Sequence, residues 1–127
     1  MEINNPKVYI ALPVYNNKEH IERTLDSLIN QSYLNVEINI FDNFSKDGTS
    51  EICQSYSKKY DQIKYNCNRT NLKSAENFRY ALFKGISSSY DYFMYARGDG
   101  VLSNNLVREM VNLMESDSEA SLVFPSL

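Results

Sequence analysis

The sequence predicts an α/β chain: a doubly wound, mostly parallel open sheet with helices on both faces. Three observations lead there. Apolar, β-rich runs of strand length alternate with segments of helical periodicity. The first run, "VYIALPV" (8–14), is continuous rather than alternating, as in a strand covered on both faces. Polar turn formers cluster where the runs end. Strands that alternate with helices pair in parallel through right-handed crossovers, which gives the doubly wound arrangement.

Taken in order, a strand over 7–14 precedes a helix over 17–31, in which Ile21, Leu25, Leu28 and Ile29 recur at helical spacing. Asn16 or Asn17 is available as its N-cap. "VEINIF" (36–41) is a second strand and runs into "DNFSKDGTS", a loop rich in turn and capping residues. The next helix carries Ile52, Tyr56 and Tyr60 on one side. Residues 62–66 suit a short third strand. Ser74 to Ile86 suit a helix with Phe78, Ala81 and Leu82 turned inward. "YFMYA" (92–96) is a fourth strand, Leu106 to Met114 an amphipathic helix, and "SLVFP" (121–125) the start of a fifth strand. That last segment is an awkward place for a domain to stop, so residues 1–127 are expected to form a single domain truncated at its carboxyl end.

Bulk properties narrow the function. A net charge of −3, with 23% charged residues, leaves no basic footprint for nucleic acid, so any anionic ligand must be held locally. No apolar stretch approaches the roughly 20 residues that cross a bilayer. The amino terminus "MEINNPK" lacks the order of a signal peptide. The expected compartment is the cytoplasm, with the inner face of the membrane as a peripheral option. Cys53 and Cys67 lack a C-x-x-C partner or nearby histidine and read as free thiols, and His20, the single histidine, reads as a solvated helix residue.

Parallel pairing would carry "PVYNN" (13–17), "DNFSKDGT" (42–49) and "RGDG" (97–100) to the carboxyl edge of the sheet, where such folds bind ligands. The residue types suit a nucleotide. Asp42 at a strand tip is placed to accept from a base N–H or a ribose hydroxyl. Tyr15 can border or stack on a base. Asp99, between Gly98 and Gly100, sits where backbone can approach a ligand closely. A lone carboxylate there suits Mg²⁺ or Mn²⁺ bridging a diphosphate.

The order "PVYNNKEHIERTLDSLINQSY", "EINIFDNFSKDGTSEIC", "NRTNLKSAENFRYAL", "YFMYARGDGVL" resembles the amino-terminal half of the inverting family 2 glycosyltransferases of GT-A fold, over roughly residues 7–125. The resemblance implies that Pro13, Val14, Tyr15 and Asp42 hold the nucleotide of a sugar donor, a UDP- or dTDP-sugar. It brings Asn71, Lys73 and Asn77 to the border of that site. It also matches Asp99 to the principal ligand of a D-x-D metal site. Arg97, which replaces the first aspartate of that pattern, would pair with phosphate beside Gly98 and puts metal dependence in question. The implied reaction is sugar transfer to a glycan or lipid-linked acceptor in polysaccharide or glycoconjugate synthesis. Its general base is expected beyond Leu127, so these residues alone would not catalyse transfer. The sequence leaves homodimerisation open.

Rival readings are a non-catalytic or degenerate domain of the same fold and, third, a nucleotidyltransferase. The latter would need a glycine-rich basic loop after the first strand, which "LPVYNNKEH" lacks. An NAD-binding domain fails for want of G-x-G-x-x-G. Arg97-Gly98-Asp99 as an adhesion signal would require display on an exported loop rather than a position after a central strand.

Overall fold

The computed structural model describes residues 4–87 and 89–123. Among these residues four strands, β1 (Val8–Val14), β2 (Val36–Asp42), β3 (Ile63–Cys67) and β4 (Tyr92–Tyr95), alternate with four helices, α1 (Ile21–Ile29), α2 (Thr49–Lys59), α3 (Ser74–Ile86) and α4 (Leu106–Ser116). All pairings are parallel, in the order β3-β2-β1-β4. The doubly wound open sheet expected from the sequence is present.

β1 lies second from one edge and is buried at all 7 positions, which is why its sequence reads as an unbroken apolar run. Its alternate side chains serve two cores. Val8, Ile10, Leu12 and Val14 pack with Ile21, Leu25 and Leu28 of α1, Cys53 of α2, and Val107 and Val111 of α4. Tyr9 and Ala11 turn to the other face and pack with Phe41 and Ala81 of α3. Small residues let α3 approach this second face. A Cβ on Gly85 would lie 2.5 Å from the Phe93 ring and 3.1 Å from Tyr9, so that helix position accepts no side chain.

The chain steps outward from β1 to β2 to β3, then crosses under the sheet through α3 and re-enters on the far side of β1 as β4. The reversal of direction therefore falls between β1 and β4, and loops leaving their carboxyl ends diverge around a crevice.

Several element-level expectations need correction. Helix α1 starts at Ile21 rather than Asn17, and neither asparagine caps it, because their side chains are engaged elsewhere. On α3 the buried positions are Asn77, Ala81 and Gly85, whereas Phe78, expected inward, is exposed. On α2 the fully buried residues are Thr49 and Cys53, while Ile52, Tyr56 and Tyr60 pack partly buried against the same core, on one side as the spacing implied. No strand forms over 121–123, and the remainder of the expected fifth strand lies outside the described residues. Among the described residues no helix is long and apolar enough to cross a membrane.

Candidate functional site

Parallel register brings the expected clusters to one rim. Val14 pairs with Asp42, which pairs with Cys67, so β1, β2 and β3 end level. On the other side, the Ala96 N–H donates to the Ala11 carbonyl and delivers 97–100 beside the end of β1.

The loops after β1 and β2 are laced together. The Asn16 N–H donates to Ser45 Oγ at 3.0 Å, and Asn16 Oδ1 accepts from the Lys46 N–H at 3.0 Å. The Asn17 N–H donates to Thr49 Oγ1 at 2.8 Å, the Lys18 N–H to Asp47 Oδ2 at 3.2 Å, and the Asn43 N–H to the Val14 carbonyl at 2.9 Å. Asn16 (φ 50°) and Phe44 (φ 67°) both hold left-handed backbone here, which for a bulky phenylalanine is a strained state fixed by its surroundings. Asp47 caps this lacing by accepting from the Thr49 hydroxyl and N–H. Although partial burial opposes ionisation, those donors and the Lys18 N–H hold its carboxyl below the usual range.

Asp42 reaches the rim, but its side chain is fully enclosed. Oδ1 accepts from the Ser45 N–H at 2.9 Å, and Oδ2 from the Ser50 hydroxyl at 2.5 Å and the Tyr65 hydroxyl at 2.7 Å. Burial, together with the bond to Asp42, pushes the Tyr65 phenol up. As placed, the Asp42 carboxyl organises the loop 43–50, and a nucleotide donor group reaches it only by displacing one of these partners. The Cys53 thiol beneath the loop is raised to about 12 by burial, with Asp42 and Asp47 adding to the shift, which fits an inert free thiol.

An asparagine network that sequence reasoning missed forms the wall of the site. Asn43 pairs with the backbone of Leu72 in both directions, its amide donating to the carbonyl at 2.7 Å and its Oδ1 accepting from the N–H at 2.8 Å. Asn68 bridges Asn43 and Asn77 at 2.9 Å each, Asn71 donates to the Asn43 carbonyl, and Asn77 donates to the Phe41 carbonyl. Asn77, 3% exposed, is thus a structural support at the base of the site, and Asn71 ties down the loop before α3. The available signal was Asn77 itself, a polar residue at the i, i+4, i+8 spacing of the buried stripe Asn77, Ala81, Gly85.

These residues enclose an open cleft of 360 Å³ lined by Pro13, Val14, Tyr15, Asn43, the 71–74 loop, Asn77 and Phe78. Tyr15 is 49% and Phe78 38% exposed, so two aromatic side chains stand on its border. Lys73 contributes a cation to the lining. A second, larger, mainly apolar groove of 610 Å³ runs between β4 and α4, with Arg97 and Gly100 among its lining residues.

Arg97, Gly98 and Asp99 lie on the other side of the β1 terminus. The Gly98 carbonyl accepts from Thr24 Oγ1 at 3.2 Å. A Cβ on Gly98 would fall 2.7 Å from Asn17 Oδ1 and 3.0 Å from Val14 Cγ1, so glycine is required for this turn to seat. Arg97 donates through Nε to Asp99 Oδ1 and through Nη2 to Asp99 Oδ2, both at 3.0 Å. That hydrogen-bonded guanidinium holds the Asp99 carboxyl below its usual range, with His20 adding a smaller effect. The donor set does not fit a divalent cation as it stands. Both Asp99 oxygens are engaged by a cation, and among the described residues no group of three or more potential ligands forms.

The glycosyl transferase family 2 model matches residues 9–126. The chain belongs to that family. It is 28% identical over 121 residues to EpsE of Bacillus subtilis (strain 168), covering 94% of this chain and 42% of EpsE. It is 30% identical over 118 residues to the abequosyltransferase RfbV of Salmonella typhimurium, covering 91% of this chain and 34% of RfbV. This family member therefore spans less than half the length of either relative. Among solved structures, S. aureus TarS 1–349 in complex with UDP superposes with a TM-score of 0.76 at 20% identity, covering 87% of this chain and 32% of that one. The mannosyltransferase PcManGT from Pyrobaculum calidifontis, in complex with GDP-Man and Mn²⁺, gives 0.77 at 19% identity, covering 87% and 33%. At such identity these likenesses establish the GT-A fold expected from the sequence.

Proposed function

We propose that this chain is the donor-binding portion of an enzyme that moves a sugar from a nucleoside diphosphate, a UDP- or dTDP-sugar, to an acceptor hydroxyl. The acceptor is a glycan or lipid-linked saccharide in polysaccharide or glycoconjugate synthesis. The observation that carries this reading is the cleft at the strand carboxyl ends, bordered by two exposed aromatics and walled by fixed amides. Aromatic faces suit a base, the amides and laced loops suit ribose and base hydrogen bonds, and Lys73 and Arg97 offer positive charge for a diphosphate. TarS solved with UDP and PcManGT solved with GDP-Man, both of this fold, support the choice of ligand class.

In an inverting transfer the acceptor oxygen attacks the anomeric carbon in line with the departing diphosphate oxygen, and the hydroxyl proton passes to a base. The chain's own contribution is to hold the nucleotide and meet the charge of the leaving diphosphate. We assign the base to none of its residues. The Mg²⁺ or Mn²⁺ expected at Asp99 would first have to displace Arg97.

Calorimetry with UDP, GDP and dTDP tests the reading. At least one should bind, and Tyr15→Ala should weaken it by about fivefold to a hundredfold, the range that one stacking contact supports. Circular dichroism should stay unchanged, because Tyr15 is half exposed. Equal affinity in the variant, or no binding of any of the three, overturns it.

A further inference from the structure

We propose that Arg97 is this chain's built-in cation for the donor diphosphate, seated on Asp99 until the ligand takes it, so that nucleotide binding does not depend on a divalent metal. The inference rests on the donor-site reading above and specifies how that site meets charge.

The geometry is a planar fork. Each oxygen of Asp99 receives one guanidinium N–H at 3.0 Å, which places the guanidinium on the side of the carboxylate that a metal ion would use. The turn that carries the pair is fixed by backbone, since the Gly100 N–H donates back to the Arg97 carbonyl at 3.2 Å. The turn in turn is pinned to the nucleotide cleft's own wall. Gly98 abuts Val14 and Asn17, and Asn17 Oδ1 accepts from the Tyr15 N–H at 2.9 Å. Arg97 is therefore held one short loop from the residue proposed to border the base.

The pair can also let go. Its side chains are 79% and 43% exposed, so water screens the attraction, and a guanidinium can exchange a carboxylate for a phosphate of the same fork geometry without burying or stranding a charge. Asp99 acts in this scheme as a positioning residue that keeps the guanidinium poised.

Charge arithmetic agrees. Two carboxylates with one divalent cation sum to zero, and so do one carboxylate and one guanidinium. Arg97 thus presents the diphosphate with the same net charge that a metal on a two-carboxylate site would present. The cation in contact with Asp99 is Arg97, so a metal ion would approach a carboxylate already neutralised by a guanidinium.

The test compares UDP binding in EDTA and in Mn²⁺ for the native chain, Arg97→Asp and Arg97→Ala, with circular dichroism confirming that each is folded. The native chain should bind equally in both buffers, to within about twofold. Arg97→Asp, which restores a second carboxylate, should bind at least about tenfold more tightly with Mn²⁺ than with EDTA. Arg97→Ala should be at least about tenfold weaker than the native chain in EDTA. If the native chain binds only with Mn²⁺, or if Arg97→Ala matches it in EDTA, Arg97 is not the diphosphate cation and the donor site itself still stands. If the native chain binds neither UDP, GDP nor dTDP in either buffer, the donor-site reading falls and this inference with it.

Discussion

Asp42→Ala separates two roles for the same carboxyl, organiser of a loop or direct contact of a base. In the structure the side chain is fully buried and accepts from the Ser45 N–H, the Ser50 hydroxyl and the Tyr65 hydroxyl. Truncation leaves three donors without their acceptor. Each would cost about 1–3 kcal/mol if wholly buried, but these are partly buried and water can reach them, so the low end applies and the sum is about 3 kcal/mol. Against the roughly 5–15 kcal/mol that holds a domain folded, this is a large fraction. Asp42→Asn should cost about 1 kcal/mol, because Oδ1 still accepts from Ser45 while the new amide donates to the Ser50 and Tyr65 hydroxyl oxygens, which can reverse their roles. Urea unfolding followed by circular dichroism measures both, with Ser50→Ala and Tyr65→Phe as single-bond controls. An Asp42→Ala midpoint corresponding to a loss below about 0.5 kcal/mol would refute the argument that these bonds organise the loop. Nucleotide affinity supplies the second axis: if Asp42→Asn keeps its stability yet loses UDP binding, the carboxyl touches the ligand directly, as the sequence motif suggested.

Gly98→Ala should strike the site from the other side. The added methyl meets Asn17 Oδ1 and Val14 Cγ1, and overpacking of this kind costs about 1–3 kcal/mol; UDP affinity should fall with the thermal midpoint, since Asn17 is also what fixes the Tyr15 turn. Asp47→Asn should flatten the acid limb of the stability curve. The folded-state pKa of Asp47 is lowered, so its contribution is present above the unfolded value and lost as pH falls through the folded one. Urea midpoints collected below about pH 4 should therefore converge for the two proteins, and those near neutrality should favour the native chain.

The strands were legible because burial on two faces leaves a period-free apolar run, as in Val8–Val14, and α3 because its thirteen residues lie between a loop of polar residues and a serine-rich turn. The amino end of α1 was not. Capping preference is a local rule, yet the Asn16 side chain accepts from the Lys46 N–H, 30 positions away in the loop after β2, and the Asn17 side chain turns back to the Tyr15 N–H while its own N–H reaches Thr49. Phe78 failed for a related reason. It has helical spacing to Ala81 and Leu82, but it sits one turn from the start of α3, at the cleft, and the sheet is instead met by Asn77. Asn43 and Asn68 were hidden in plain view, because an asparagine in a loop is ordinarily turn chemistry and only the fold shows that four of them share one network.

The two aspartates of the rim show why a motif alone cannot assign a role. Asp42 ends β2 and Asp99 lies just past β4 on the same edge, and both were read as ligand contacts. One is enclosed by three neutral donors supplied from β3, α2 and the intervening loop, so its partners can be replaced only by disturbing the fold. The other faces water with a single charged partner two residues away, which can be exchanged without moving any backbone. Burial, not residue type, decides which carboxyl is spoken for and which can yield its partner. On the proposed donor-site reading, the charge offered to a diphosphate is set at the exposed turn, where Arg97 stands, while the buried Asp42 holds the loop whose first residue, Asn43, lines the cleft.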